Sequence, residues 1–163
     1  MMSCGLCLHF TKSLRYREPW SYVIGGFGIQ EMWEVGRPEN FFIKEPQLSD
    51  VEFLKNTWLL NATDNNYQPN AIDDLDGLPC DRPLVVVSSS VAQNLKGEQD
   101  LQHFTHPEDA IYIFGGDATE LKPEDFKDRD YATVYIPTGD IEMYSFQAGA
   151  ITFYDRMSKL GKI

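Results

Sequence analysis

The stretch that decides the fold runs from Ile111 to Asp155 and reads IYIFGGDATELKPEDFKDRDYATVYIPTGDIEMYSFQAGAITFYD. An apolar run from Ala110 to Phe114 stops at Gly115-Gly116, which is typical of a buried strand that ends in a glycine turn. A second run, Thr133 to Ile136, stops at Pro137. Because open α/β sheets bind ligands outside the carboxyl ends of their strands, we expect a binding site where these two strands end.

A helix is predicted beyond Pro137. Its apolar residues follow helical spacing, at Phe146, Ala150, Phe153, Met157 and Leu160. A second apolar row at Ile151 and Tyr154 makes this stripe broader than contact with one sheet requires. Two strand ends and the start of one helix therefore converge in this part of the chain.

The rest of the chain alternates between strand patterns and helix patterns. Strands are predicted at Gly5 to Phe10, Ile29 to Val35 and Pro83 to Ser88, helices at Glu18 to Gly28, Ser49 to Asn61 and Ala71 to Leu78, and a polar loop at Ala62 to Asn70. This alternation predicts an α/β fold with a mostly parallel sheet flanked by helices. The 163 residues, of which 42% are hydrophobic, suit one domain spanning residues 1–163.

Composition narrows the cellular setting. The sequence has no apolar run of the roughly 20 residues that a membrane helix needs, and its first residues lack the pattern of a signal peptide. Three cysteines, an odd number, fit a reducing compartment, so we expect a cytosolic protein with no membrane partner. Cys4 and Cys7 begin a strand and have no second pair to complete a zinc site, so no metal is expected.

The net charge of −11 limits how the chain could bind nucleic acid. Protein affinity for RNA comes largely from Lys and Arg side chains that replace phosphate counterions, and 14 such residues stand against 25 acidic ones. An RNA-binding role therefore requires a local basic patch. The candidate for this patch is the segment from Lys12 to Arg17, where basic residues are dense. The alternative interpretation of this segment is a solvated loop with ordinary surface cations.

Four short motifs carry a resemblance to a known family. They are Phe114-Gly115-Gly116-Asp117 with Leu121, Ile136-Pro137-Thr138-Gly139, Ser145-Phe146-Gln147 and Tyr154-Asp155. In this order they resemble the motif pair of SpoU-like members of the SPOUT RNA methyltransferase superfamily. The chain departs from that pattern by having Gly116 for Pro, Asp117 for Glu, Glu120 for Gly, Phe146 for Leu and Gln147 for Asn.

The resemblance implies a fold, a cofactor and roles for particular residues. It implies a SPOUT-type α/β fold with a C-terminal trefoil knot, a homodimer formed through the last helix, and 2′-O-methylation of tRNA or rRNA with S-adenosylmethionine. The residues expected to bind the cofactor are Ser88, Phe114, Gly115, Gly116, Ile136, Pro137, Ser145 and Phe146. The target nucleotide would be oriented by Asp117, Ser145 and Gln147.

One functional residue of the family is missing. Phe27-Gly28 matches the end of the family's first motif, and counting back from it puts Tyr22 at the position of the family's catalytic Arg. A tyrosine offers one hydroxyl with a pKa near 10 and cannot supply a permanent positive charge. Arg17, or as an alternative Arg15 in the same basic segment, is the residue expected to take over the catalytic role.

Three functions stay open from the sequence. The first is an S-adenosylmethionine-dependent RNA ribose methyltransferase, which the motif pair favours. The second is a knotted but catalytically degenerate protein that binds the cofactor or a protein partner, which Tyr22, Gln147 and the acidic charge favour. The third is a different cofactor-binding α/β protein, because a strand that ends in FGGD is common.

Overall fold

The computed structural model describes residues 4–9, 17–29, 31–35, 68–88, 98–115, 121–138 and 143–163. These residues form one sheet of seven strands, β1 (Gly5–His9), β2 (Glu31–Val35), β3 (Gln68–Ile72), β4 (Leu84–Ser88), β5 (Glu98–Asp100), β6 (Ile111–Phe114) and β7 (Ala132–Tyr135). The order across the sheet is β3-β2-β1-β6-β4-β7-β5, and all neighbouring strands are parallel. The predicted α/β fold with a mostly parallel sheet is therefore confirmed, and the trefoil knot stays a prediction.

Two α-helices and three short 3₁₀ turns accompany the sheet in the described ranges. The helices are α1 (Arg17–Gly26) and α2 (Ser145–Lys159), and the 3₁₀ turns are Leu75–Gly77, Leu101–His103 and Pro123–Phe126. Helix α1 ends as predicted, because Gly28 adopts a φ of 64°, which glycine tolerates and other residues rarely adopt. Neither α-helix has the length and apolar character that crossing a membrane would require.

The strand pairing brings the predicted site residues to one edge. Strand β4 lies between β6 and β7, with Val87 level with Phe114 and Ser88 level with Tyr135. Because the strands are parallel, the residues that follow β4, β6 and β7 leave the sheet at the same edge. We call this the carboxyl edge of the sheet. Gly115 and Ile136, which follow β6 and β7, both lie there.

The central strands carry side chains buried on both faces. One cluster includes Leu6, Trp20, Tyr112, Phe114 and Phe153, and it contains the contacts of the sheet with α1 and α2. The second cluster, on the opposite face, includes Cys7, Trp33, Val86, Ile113 and Phe126. The strand predicted from Pro83 to Ser88 forms as β4, and β4 is buried at every position, as its near-continuous apolar sequence requires.

Three elements differ from the sequence predictions. Residues 68–72 form strand β3 instead of a loop and the start of a helix, because their backbone pairs with β2 from Gln68 to Ile72. The predicted helix at 71–78 is reduced to one 3₁₀ turn, where the Asp74 carboxylate accepts the Asp76 N–H at 3.0 Å. Strand β5 was not predicted, because Glu98-Gln99-Asp100 has no apolar pattern. The predicted helix at 49–61 lies outside the described residues.

Helix α2 forms where predicted, but its buried face is different. Of the predicted apolar stripe only Phe153 is buried, and the helix instead buries Ser145, Ala148, Gly149, Thr152 and Arg156. Small residues occupy this face because α2 packs closely against α1. A Cβ atom placed on Gly149 would lie 2.8 Å from Cη2 of Trp20. The larger apolar side chains of the second row, Ile151 and Tyr154, are exposed.

We predict that Gly149→Ala destabilises the protein although alanine is the better helix former. The added methyl would overlap the Trp20 ring, and overpacking of this kind costs about 1–3 kcal/mol, which exceeds the roughly 1 kcal/mol gained in helix propensity. Urea unfolding measures the free energy. The matched control is Gly26→Ala, where a Cβ atom meets nothing within 4 Å, so its stability should stay equal or rise. Equal effects of the two substitutions would contradict the close packing.

Candidate functional site

The carboxyl edge of the sheet assembles most of the residues that the sequence analysis assigned to a cofactor. Strand β6 ends at Phe114 and is followed by Gly115, and strand β7 is followed by Ile136 and Pro137. Ser88 ends β4, the strand that lies between β6 and β7. The Phe114 side chain is 1% exposed, so this residue can offer a ligand only its backbone groups. Gly115 is half-buried and Pro137 is exposed, so both remain reachable.

Trp20 joins the helix start to the end of strand β6. Its indole Nε1 donates a hydrogen bond of 3.3 Å to Oγ of Ser145, the first residue of α2. Its ring meets the Phe114 ring edge to face, with the centroids 5.0 Å apart. Ser145 is 4% exposed, so its hydroxyl is part of this buried contact. One side chain therefore fixes the distance between two of the motifs that define the site.

Residues 144–147, at the start of α2, differ in exposure: Tyr144 and Gln147 are exposed, Phe146 is half-buried and Ser145 is buried. Gln147, which the resemblance implies as a nucleotide-orienting residue, is exposed, and its Oε1 accepts the Tyr144 N–H at 2.9 Å. Phe146 is half-buried and packs against the core cluster that contains Trp20 and Phe114, which we call the main core. The Tyr144 ring lies nearly parallel to the Phe146 ring, with a centroid distance of 5.8 Å. Gln147 therefore caps the helix and holds the backbone of Tyr144.

A cavity of about 540 Å³ opens beside Ile136 and Pro137. Its walls are mostly apolar and come from the carboxyl edge, from Phe27 and from the outer face of α2. The residues that line it are Phe27, Leu101, Gln102, Ile136, Pro137, Ala150, Ile151, Tyr154, Asp155 and Ser158. Its volume lies within the usual range for small-molecule sites in proteins. Asp155 is its one charged lining residue among the part of the chain that the structure describes.

Asp155 is held by a buried hydrogen-bonded network. Its Oδ2 lies 2.7 Å from Nε2 of His106 and 2.9 Å from Nζ of Lys159. On the other side of the ring, His106 Nδ1 lies 2.7 Å from the Tyr112 hydroxyl, to which the Arg156 guanidinium donates. Since Tyr112 accepts from Arg156, its own proton is available for Nδ1, and Nε2–H then donates to Asp155. The network ties α2 to strand β6.

Burial sets the charge state of this network. It lowers the pKa of His106 below its ordinary value, and the hydrogen bond to Asp155, which favours the charged ring, does not reverse the shift. The nearby cations Lys159 and Arg156 act in the same direction as burial. Burial also raises the pKa of the Tyr112 hydroxyl. We therefore assign a neutral His106 that accepts from the protonated Tyr112 hydroxyl and donates to Asp155.

Several predicted site residues cannot be located in this way. Gly116 and Asp117 lie outside the described residues, as do residues 12–16 of the basic segment from Lys12 to Arg17. Arg17 is the first residue of α1. Tyr22, at the position of the family's Arg, is 45% exposed on the same helix. Within the described ranges, no group of three or more Cys, His, Asp or Glu side chains could hold a metal ion.

Two contacts of the site were not predicted from sequence. Trp20 lies in helix α1, and nothing local in the sequence shows that its indole N–H reaches a residue 125 positions later. The sequence around His106 does not identify a partner for its ring. Its pairing with Asp155 spans 49 positions, so it depends on how α2 crosses the sheet. An alignment in which 106 and 155 change together would have been the signal to look for.

Comparison with known proteins finds structural likeness without sequence likeness. No protein-family model matches the chain, and no curated protein sequence matches it. Solved structures do match. One of them is a structure that concerns the 2-OH methylation of C/U34 on tRNA. It is 17% identical to this chain with a TM-score of 0.67, and the match covers 99% of this chain and 92% of the other.

Two further structures share this fold. The TrmH/SpoU tRNA modifying enzyme of A. aeolicus is 10% identical with a TM-score of 0.66, over 99% of this chain and 77% of its own. The AdoMet-bound rRNA methyltransferase of Sinorhizobium meliloti is 13% identical with a TM-score of 0.66, over 97% of this chain and 57% of its own. The predicted SpoU-like fold is thereby confirmed.

We predict that stability rises with pH because of His106. A histidine whose folded pKa is lowered stabilises the fold fully above its unfolded pKa near 6.5, and this contribution is lost as the pH falls from there toward the folded pKa. His106→Gln keeps hydrogen-bonding atoms but cannot titrate, so the dependence of the unfolding free energy on pH should flatten below about pH 6.5. The control is His103→Gln, at an exposed histidine. A wild-type stability that falls with rising pH across this range would contradict the assignment.

Proposed function

We propose that this chain, which has the fold of the SpoU-type RNA methyltransferases, transfers a methyl group from S-adenosylmethionine to a ribose 2′-hydroxyl of tRNA or rRNA. The observation that carries the proposal is the convergence at the carboxyl edge of Gly115, Ile136-Pro137 and the start of α2 at Ser145. These are the motifs of the resemblance. They meet in space within a fold shared with RNA methyltransferases.

Ile136 and Pro137, two of the residues expected to bind the cofactor, line a cavity that suits S-adenosylmethionine. A nucleoside needs an apolar pocket and a few polar groups, and the cavity beside Ile136 and Pro137 provides about 540 Å³ with mostly apolar walls. Gly115 allows a ligand to approach the backbone because it has no side chain. When bound, the cofactor supplies a methyl group already activated on a sulfonium. Gly115, Gly116, Ile136 and Pro137 would hold it, with Ser88, Ser145 and Phe146 around it.

The remaining task of the chain is to orient the ribose hydroxyl and to manage its proton. Asp117 and Gln147 would orient the nucleotide, and Arg17 would assist deprotonation or bind a phosphate. Ser145 contributes mainly through position, because its hydroxyl already accepts from Trp20. Arg17 opens helix α1, five residues before Tyr22 at the position of the missing family Arg. A cation there would give the local positive potential that the acidic chain otherwise lacks.

A second function is favoured by Tyr22. If no cation replaces the family's Arg, the fold binds S-adenosylmethionine or a protein partner without catalysis, and the chain is a degenerate member of this fold group. We also infer a protein built as one domain. We place it in the cytosol, because Cys4, Cys7 and Cys80 are all free thiols, as a reducing compartment favours.

We predict that the protein binds the cofactor and transfers its methyl group, and that Arg17 is required for the transfer but not for cofactor binding. Calorimetric titration should detect S-adenosylmethionine or its demethylated product, and tritiated-methyl incorporation into bulk tRNA and rRNA should detect activity. Arg17→Ala should abolish incorporation while cofactor affinity stays unchanged, because Arg17 would act on the acceptor. The comparison variant is Tyr22→Phe, which should remain active. Cofactor binding without incorporation in the wild type would favour the degenerate protein, and no cofactor binding would remove both functions.

We predict a homodimer formed through the outer face of α2. Ile151 and Tyr154 are 42% and 61% exposed on this face, beside the half-buried Ala150. Exposed apolar side chains that adjoin in this way are typical of an interface. Light scattering should give twice the chain mass of 18.6 kDa. Ile151→Lys should shift the protein toward the monomer, and a concentration-independent monomer in the wild type would reject the dimer.

A further inference from the structure

We propose that Tyr144 and Phe146 form an aromatic platform on which a base of single-stranded RNA stacks next to the methyl-transfer site. We call this pair the Tyr144 platform. The inference rests on the proposed function and extends it by naming how the chain would recognise its acceptor. It assigns a role in holding a base to Tyr144, the residue that directly precedes the motif residues Ser145 to Gln147.

The geometry of the pair is that of a stacking surface. The two rings are inclined by only 11° with their centroids 5.8 Å apart, so they present nearly parallel faces. Phe146 is half-buried and packs against the main core, whereas Tyr144 is 46% exposed. The inner ring is thus anchored and the outer ring is accessible. Aromatic side chains in this arrangement stack on the faces of unpaired bases.

The platform is fixed by its neighbours on both sides. Gln147 Oε1 accepts the Tyr144 N–H at 2.9 Å, which restrains the backbone that carries the outer ring. Between the two rings in sequence, Ser145 is buried and accepts the indole N–H of Trp20. A rigid ring loses little conformational freedom when it binds, so these restraints favour binding. They also explain why Gln147, although exposed, is engaged within the protein.

The charge of the chain makes stacking the suitable kind of contact. With a net charge of −11, the protein as a whole repels phosphates, so binding cannot rely on counterion release alone. Stacking requires no positive charge and contributes about 1–3 kcal/mol for each base. It also suits unpaired nucleotides, whose exposed ribose a 2′-O-methyltransferase must reach. A double helix would not offer a free base face.

The position of the platform connects it to the site. Tyr144 directly precedes Ser145, whose partner Trp20 contacts Phe114 at the end of β6. A base held on Tyr144 would therefore sit beside the edge where Gly115 and Ile136 emerge. A second copy of the chain could instead cover this exposed ring. The two occupants differ in what the substitution of Tyr144 changes, and the experiment below separates them.

The experiment measures binding of a short unstructured RNA oligonucleotide that carries the fluorescent base 2-aminopurine. We expect Tyr144→Leu to weaken binding about 10-fold to 100-fold. The slope of log affinity against log salt should stay unchanged, because no phosphate contact is lost. Tyr144→Phe should bind within about twofold of the wild type, since it keeps the ring. Quenching of the 2-aminopurine should occur with the wild type and with Tyr144→Phe, and it should be absent with Tyr144→Leu.

The matched control is a second stacked pair, Phe126 and Tyr131, whose centroids are 4.0 Å apart. Tyr131 precedes β7, so it lies at the opposite edge of the sheet. Tyr131→Leu, checked for folding by thermal unfolding, should leave RNA affinity unchanged. Equal losses in Tyr131→Leu and Tyr144→Leu would overturn the platform, because a general loss of aromatic packing would then explain both.

Two further outcomes separate the platform from the proposed function. If the wild type methylates RNA and Tyr144→Leu matches it in affinity and in kcat/KM, the platform is wrong and the function stands. A change of oligomeric state without a change in RNA affinity would also overturn it, in favour of a second copy. If the wild type binds S-adenosylmethionine but binds no RNA at low salt, the proposed function fails and the platform fails with it.

Discussion

The contact of Trp20 with the start of helix α2 is the constraint on which the site depends. The indole reaches Ser145 through a hydrogen bond and Phe114 through an edge-to-face ring contact, and it leaves no room for a Cβ atom at Gly149. Ser145 and Phe114 belong to two motifs that are separated by about thirty positions in the chain. Because the Trp20 side chain is fully buried, its position is determined by the core, and the positions of both motifs follow from it.

Much of the fold could be predicted from sequence because its central strands are apolar on both faces. The runs that became β4, β6 and β7 are short, unbroken and bounded by glycine, proline or serine, so their pattern was sufficient. Strand β5 and strand β3 have no such pattern. Their residues are polar or mixed, and they form strands because the neighbouring strands β7 and β2 offer backbone partners at the two ends of the sheet. These two segments are strands because of their tertiary pairing with neighbouring strands and not because of their own sequence.

The site was predictable in its location and less so in its chemistry. Glycine and proline at strand ends mark where a ligand can approach, and this information is local. The pairing of His106 with Asp155 and the burial of Arg156 depend on contacts between α2 and the segment before β6, for which spacing gives no signal. The apolar stripe of α2 was misassigned for the same reason. Close approach to Trp20 selects small residues, and the larger ones face outward.

The acidic chain can bind an RNA substrate if aromatic side chains near the carboxyl edge stack on its bases and a local cluster of positive charge contacts its phosphates. Helix α2 would then serve three roles along its length, with its start beside the acceptor, its middle beside the cofactor cavity, and its end locked by His106 and Lys159 to the sheet. The most direct measurement of this account is a crystal structure with S-adenosylhomocysteine. The account predicts the ligand at Gly115 and Ile136-Pro137, in contact with the start of α2. A ligand bound elsewhere, with this edge left empty, would contradict it.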